Sequence, residues 1–150
     1  MTPDAFIAAM YRKERALKRL VYAAETESAQ EAKAMLVQRS SGTLKTRTLR
    51  KLGHPYGHST GAKVMRFVGS VDPTIINAQS GQFRRRWKVL KPAMQANVLR
   101  SSAISTDPKS KYMFGTKKMV ARRLDIYVAA RMKARRRSRL QEAVRSALRA

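Results

Sequence analysis

The sequence predicts an α+β fold in which long N-terminal and C-terminal helices pack on a small antiparallel sheet, with an extended middle arm. Three observations carry this reading. Apolar or small residues recur every three to four positions at both ends of the chain, the helical period. Short runs containing aromatic and β-branched residues, bounded by turn residues, occupy the region from 83 to 114. The intervening stretch 42–75 is rich in glycine, proline and histidine and keeps no period. With 150 residues the chain is long enough for one domain, so 1–150 is read as a single domain with 42–75 as its loop or arm.

The first helix is announced by Thr2, a capping residue, Pro3, which suits a first turn, and Asp4, which complements the positive end of the helix dipole. Ile7, Met10, Leu17, Val21, Ala24, Ser28, Ala32 and Met35 then draw one stripe to about Gln38, where Arg39-Ser40-Ser41-Gly42 stops it. Glu14 and Lys18 form an i,i+4 pair, and Glu25, Glu27 and Glu31 read as a solvated face. In the middle stretch, 43–52 reads as a short basic helix or extended chain, and 54–61 as a loop. Val64, Met65, Phe67 and Val68 read as a short strand or helical turn before the Asp72-Pro73 turn.

The next segments, 83–90 and 96–102, read as an antiparallel hairpin with Pro92-Ala93 between its strands. Asp107-Pro108 makes a turn, and Tyr112-Met113-Phe114 reads as a third short strand ending at Gly115. Gly81 and Gly115 stand where the chain turns into or out of a strand, where glycine adopts positive φ without strain. The last helix runs from about 124 to 148 on Leu124, Tyr127, Val128, Met132, Leu140, Val144, Ala147 and Leu148. Between 133 and 139 it carries five basic residues and no large apolar one, so its stripe thins there.

Charge is the outlier of the composition: 33 Lys+Arg against 9 Asp+Glu give a formal +24. From Arg84 onward there are 20 basic and 3 acidic residues, and before it 13 and 6. Such a surplus repels itself and is relieved by a polyanion, an acidic protein or lipid headgroups. The absence of cysteine removes disulfide frameworks and thiolate metal sites. The longest apolar run, 5–11, is too short to cross a bilayer, and no membrane partner is expected. Neither a secretory signal nor a transit peptide is read at the N-terminus, the latter because of Glu14, Glu25, Glu27 and Glu31. A soluble protein of a reducing or neutral compartment is expected.

Positioned catalytic groups are scarce. His54 and His58 lie four apart, but Pro55 and Gly57 break the helix that would align them on a metal. Gly57, Gly61 and Gly69 form no phosphate-binding signature. No catalytic residue, metal or cofactor is expected, and an enzyme or toxin is the least supported reading. The remaining signal is two basic clusters: Arg84, Arg85 and Arg86, and Arg135, Arg136, Arg137 and Arg139. Each is a candidate contact for DNA or an acidic partner. Trp87 beside the first cluster reads as core in preference to a base-stacking platform.

Two stretches carry a family resemblance. Ile76-Asn77-Ala78-Gln79-Ser80-Gly81-Gln82-Phe83-Arg84-Arg85-Arg86-Trp87 resembles the threonine-glycine-x-leucine-arginine segment of tail-completion (head–tail joining) proteins of long-tailed bacteriophages. Tyr112-Met113-Phe114-Gly115-Thr116-Lys117-Lys118-Met119-Val120-Ala121-Arg122 resembles that family's phenylalanine-glycine-threonine and methionine-x-alanine-arginine element. Ser80 stands where threonine is usual, and Arg123 where proline commonly follows. The resemblance implies a long first helix, then a strand hairpin, then a final helix. It also implies a structural virion protein of the phage neck, assembled in the host bacterial cytoplasm. Its subunits would form an oligomeric ring, typically sixfold, around the DNA path and between connector and tail-tube proteins. Gly81, Phe114, Gly115 and Thr116 are then turn or ring-interface residues, and DNA in the lumen is a candidate partner of the arginines. The alternative reading, from charge alone, is a basic nucleic-acid-binding protein of ribosomal or nucleoid type.

Overall fold

The chain opens directly into a 37-residue helix, α1 (Pro3–Arg39), in the computed structural model, which describes residues 2–44, 47–48, 74–76, 81–95, 98–114 and 123–149. Its start follows from the first residues. Ala5 N–H donates to Thr2 Oγ1 at 3.3 Å and Phe6 N–H to the Thr2 carbonyl at 3.1 Å, so the threonine satisfies donors that the first turn leaves open. At the far end Ser40 N–H closes on the Leu36 carbonyl at 2.9 Å, and Ser41 Oγ donates to the Val37 carbonyl at 2.7 Å. Gly42 N–H then donates to the Ile76 carbonyl, and Ile76 N–H to the Arg39 carbonyl at 2.8 Å. The backbone groups released by the helix end are thereby paired. Most of 42–75 lies outside the described residues, including the candidate loop 54–61, the candidate strand at 64–68 and both histidines.

After Gly81 come a one-turn helix α2 (Gln82–Arg85), strands β1 (Trp87–Gln95) and β2 (Val98–Ser105), a 3-10 helix (Pro108–Phe114) and a 26-residue helix α3 (Leu124–Arg149). The two strands form one antiparallel sheet, which with the long helices at both ends makes the expected α+β layout. Four boundaries differ from the sequence reading, the first being β2, read at 96–102 and found three residues longer at its end, at Val98–Ser105. Residues 83–85 are helical, since Gly81 in the left-handed region (φ 70°) turns the chain into α2. Pro92-Ala93 lies inside β1, with Pro92 buried; a two-stranded sheet leaves each strand one unpaired side, so a residue without N–H can be carried within a strand. Tyr112-Met113-Phe114 ends the 3-10 helix and is no third strand. Asp107 nucleates that helix, its carboxylate accepting Lys109 N–H at 2.8 Å and its carbonyl accepting Ser110 N–H at 2.9 Å.

Packing divides the chain into two compact units. One comprises Met1–Ala32, Val89–Ala103 and Ala130–Ala150. Within it α1 and α3 run antiparallel: Lys13 Nζ donates to the Leu148 carbonyl at 2.9 Å, and twelve residues further along α1 Glu25 meets Arg136, twelve residues back along α3. Its buried apolar residues are mostly small: Ala24, Ala29, Met132, Ala143 and Ala147. Ser28 is buried with them, its hydroxyl donating to the Ala24 carbonyl at 2.8 Å. Of the last helix's expected stripe Ala147 is buried, but Val144 and Leu148 are 40% and 65% exposed, because the buried side passes through Ala143 and Ala147.

The other unit comprises Lys33–Lys88 and Ile104–Ala129. Leu36, Ser40, Trp87, Asp107, Met113, Leu124 and Val128 are buried there. Trp87 anchors it: Nε1 donates to Ser40 Oγ at 3.0 Å, and the indole meets the Phe83 ring edge-on with centroids 5.7 Å apart. Trp87 is therefore core, and its face is not open to a base. Arg39 stacks its guanidinium over the Tyr127 ring, 4.2 Å from the centroid, and donates to Thr74 Oγ1 and to the Tyr127 hydroxyl.

Candidate functional site

The first arginine cluster sits on α2 and its C-terminal cap. Arg84, Arg85 and Arg86 are all exposed. They differ in what holds them. Arg86 Nε lies 3.9 Å from the Asp107 carboxylate, whose side chain is 5% exposed, and the Arg86 carbonyl accepts both the N–H and the hydroxyl of Thr106. Arg86 is thus tied down beside a buried acid. Among the described residues Arg84 and Arg85 form no ion pair, which leaves two guanidinium groups available to an outside anion. Gly81 presents the pair: at φ 70° it sets the direction of α2 in a conformation that side-chain-bearing residues rarely adopt.

The second cluster meets acids of its own chain. Arg136 donates through Nε at 2.8 Å and approaches through a terminal nitrogen at 2.7 Å to the same carboxylate oxygen of Glu25. Ser101 of β2 donates to the other oxygen at 3.2 Å and to the Glu25 carbonyl at 2.7 Å. Glu25 is 2% exposed, so this is a buried acid held by a half-exposed cation and a hydroxyl. Six residues further along α1, Glu31 accepts from Arg135 and lies 2.6 Å from Arg139, which also stands 3.9 Å from Glu27. The guanidinium groups of Arg135 and Arg139 hold the Glu31 carboxyl below the usual carboxylate range.

Of the three glutamates expected as a solvated face, Glu27 is exposed, whereas Glu25 is buried and Glu31 half-buried, and these two bind three of the four arginines between the helices. Sequence spacing contains half of that signal. Glu27 and Glu31 are four apart, as are Arg135 and Arg139, so an antiparallel helix pair brings both sets together one turn at a time. Which register the helices adopt is not written in either helix alone. Arg137, the fourth member, is exposed, forms no ion pair among the described residues and lines an open groove along α3.

Of the turn residues, Phe114 is 64% exposed, with the Arg123 guanidinium 5.5 Å from its ring centroid. Arg123 also makes a two-pronged contact with Asp125 at 3.0 and 2.7 Å, and this holds the Asp125 carboxyl below its ordinary value at the start of α3. Gly115 and Thr116 lie outside the described residues. Among the described residues no group of three or more histidine, cysteine or acidic side chains is arranged to hold a metal ion, and no helix is long and apolar enough to cross a membrane.

Comparison with known proteins returns no match: no family model, no curated protein and no solved structure aligns significantly with this chain.

Proposed function

We propose that the chain is a structural subunit of the neck of a long-tailed bacteriophage, a tail-completion protein acting in an oligomeric ring between connector and tail tube. The observation that carries this reading is where the two family-like stretches fall. The first ends at Trp87, the residue that opens β1 after the long α1. The second begins in the 3-10 helix and ends two residues before Leu124, where α3 starts. Helix, hairpin and final helix follow one another in the order the resemblance implies. Large apolar side chains left on the surface favour a subunit over a self-sufficient globule. Phe6, Ile7, Met10 and Tyr11 are each more than half exposed on the first turns of α1, where neighbouring subunits would cover them.

The nucleic-acid-binding alternative rests on a net charge that pairing within the chain leaves at +24, but the contacts that would make it specific are largely taken up. Trp87 is buried, and Arg135, Arg136 and Arg139 are bound to glutamates of the same chain. The test is particle mass and shape: sedimentation velocity and negative-stain imaging of the purified protein, alone and with neck and tail-tube proteins. Closed rings or co-assembly are expected. A protein that stays monomeric under both conditions yet binds RNA tightly at physiological salt would overturn the proposal in favour of the alternative.

A further inference from the structure

From the outer face of α3 we infer a docking groove for an acidic amphipathic helix of a partner protein. An open groove of about 630 Å³ is lined by the apolar Leu140 and Val144, one turn apart, and by Lys133, Arg136, Arg137, Gln141 and Arg145, of which Arg136 is already bonded to Glu25. Leu148, 65% exposed, continues the same apolar line toward the helix end. Val144 is 40% exposed although it is a branched apolar residue within a long helix. Among the described residues Lys133, Arg137 and Arg145 form no ion pair. An apolar strip bordered by uncommitted cations is complementary to a helix with an apolar stripe flanked by carboxylates, read at i, i+3 and i+4.

Charge bookkeeping selects this occupant over a second copy. Glu14, Glu25, Glu27, Glu31, Asp107 and Asp125 are each engaged with a lysine or arginine of the same chain. Among the described acids this leaves Asp4 and Glu142, too few and too far apart in sequence to line a cationic groove. The exposed apolar turns of α1 are themselves followed by Arg12, Lys13 and Arg15, which would face like charge there. A bare phosphate backbone offers nothing for Leu140 and Val144 to bury. The inference stands on this face alone and does not require the neck assignment.

The test uses the full-length protein and a synthetic 18-residue helical probe with leucines on one face and flanking glutamates, labelled for fluorescence anisotropy. Controls are the same peptide with glutamine for glutamate, a single-stranded oligonucleotide and anionic phospholipid vesicles. Val144→Asp and Arg137→Glu, both on the exposed side of α3, should each weaken the acidic peptide by about tenfold or more. The glutamine peptide should bind the unaltered protein weaker by a similar factor, and Lys88→Glu, at an exposed position of β1, should change nothing. Circular dichroism should report unchanged helix content in all three variants. The inference fails if Val144→Asp leaves peptide affinity intact while Arg137→Glu weakens peptide and oligonucleotide alike, since the face would then be a polyanion surface. It fails equally if only vesicles compete for the groove.

Discussion

Breaking the Glu25–Arg136 pair from its two ends should have unequal consequences. Glu25 is 2% exposed at its side chain and Arg136 is 44% exposed. Replacing Arg136 by methionine keeps the aliphatic stem but leaves a buried carboxylate with the Ser101 hydroxyl in place of two guanidinium contacts. Removing one partner of a buried pair costs about 3–5 kcal/mol, and access of water to the arginine end puts Arg136→Met near the bottom, about 3 kcal/mol. In Glu25→Gln the amide oxygen still accepts from Arg136 and the freed cation turns to water, so the cost is about 1 kcal/mol. In the double variant neither a buried charge nor its lost partner remains. It should cost about 2 kcal/mol, leaving a coupling of about 2 kcal/mol against the sum of the single changes. Urea unfolding followed by far-ultraviolet circular dichroism measures all three, urea being preferred because guanidinium would screen the pair. If Arg136→Met costs no more than Glu25→Gln, or if the two changes add, burial of the carboxylate does not control the stability of this helix pair.

Three further outcomes are expected. The single tryptophan should emit to the blue of free indole and resist acrylamide quenching, and Ser40→Ala should destabilise by about 1–2 kcal/mol by orphaning the buried Nε1–H; water-like emission from the folded protein would show that Trp87 is not core. Glu31 titrates below its ordinary value when folded, so its pairing with Arg135 and Arg139 stabilises fully above the usual glutamate range and is lost as pH falls through the lowered folded value; Glu31→Gln should flatten stability against pH on the acid side, and an unchanged acid limb would contradict the pairing. Gly81→Ala should cost about 1 kcal/mol through backbone conformation alone, since the nearest atom to an added Cβ is 3.6 Å away, and Gly81→Asn should cost less; equal costs in urea unfolding would remove the left-handed turn from the account.

Local chemistry determined the parts of this protein that depend on neighbours in sequence. Thr2, Pro3 and Asp4 set the start of α1, and Arg39-Ser40-Ser41-Gly42 its end, because capping is settled within a few residues. The run from Leu124 through Val128 to Met132 reports the buried side of α3 for the same reason. Tertiary structure decided what required a partner from elsewhere in the chain. The spacing of Glu25, Glu27 and Glu31 is compatible with solvent or with cations, and only the antiparallel register of α1 and α3 brings Arg135, Arg136 and Arg139 opposite them. Pro92 reads as a turn residue until β1 carries it buried within a two-stranded sheet, and Tyr112-Met113-Phe114 reads as a strand until Asp107 caps a 3-10 turn ahead of it. The net charge of +24 is a property of composition and survives every internal pair, but which cations carry it is a property of the fold, because an arginine bonded to an interior carboxylate is no longer offered to an external anion.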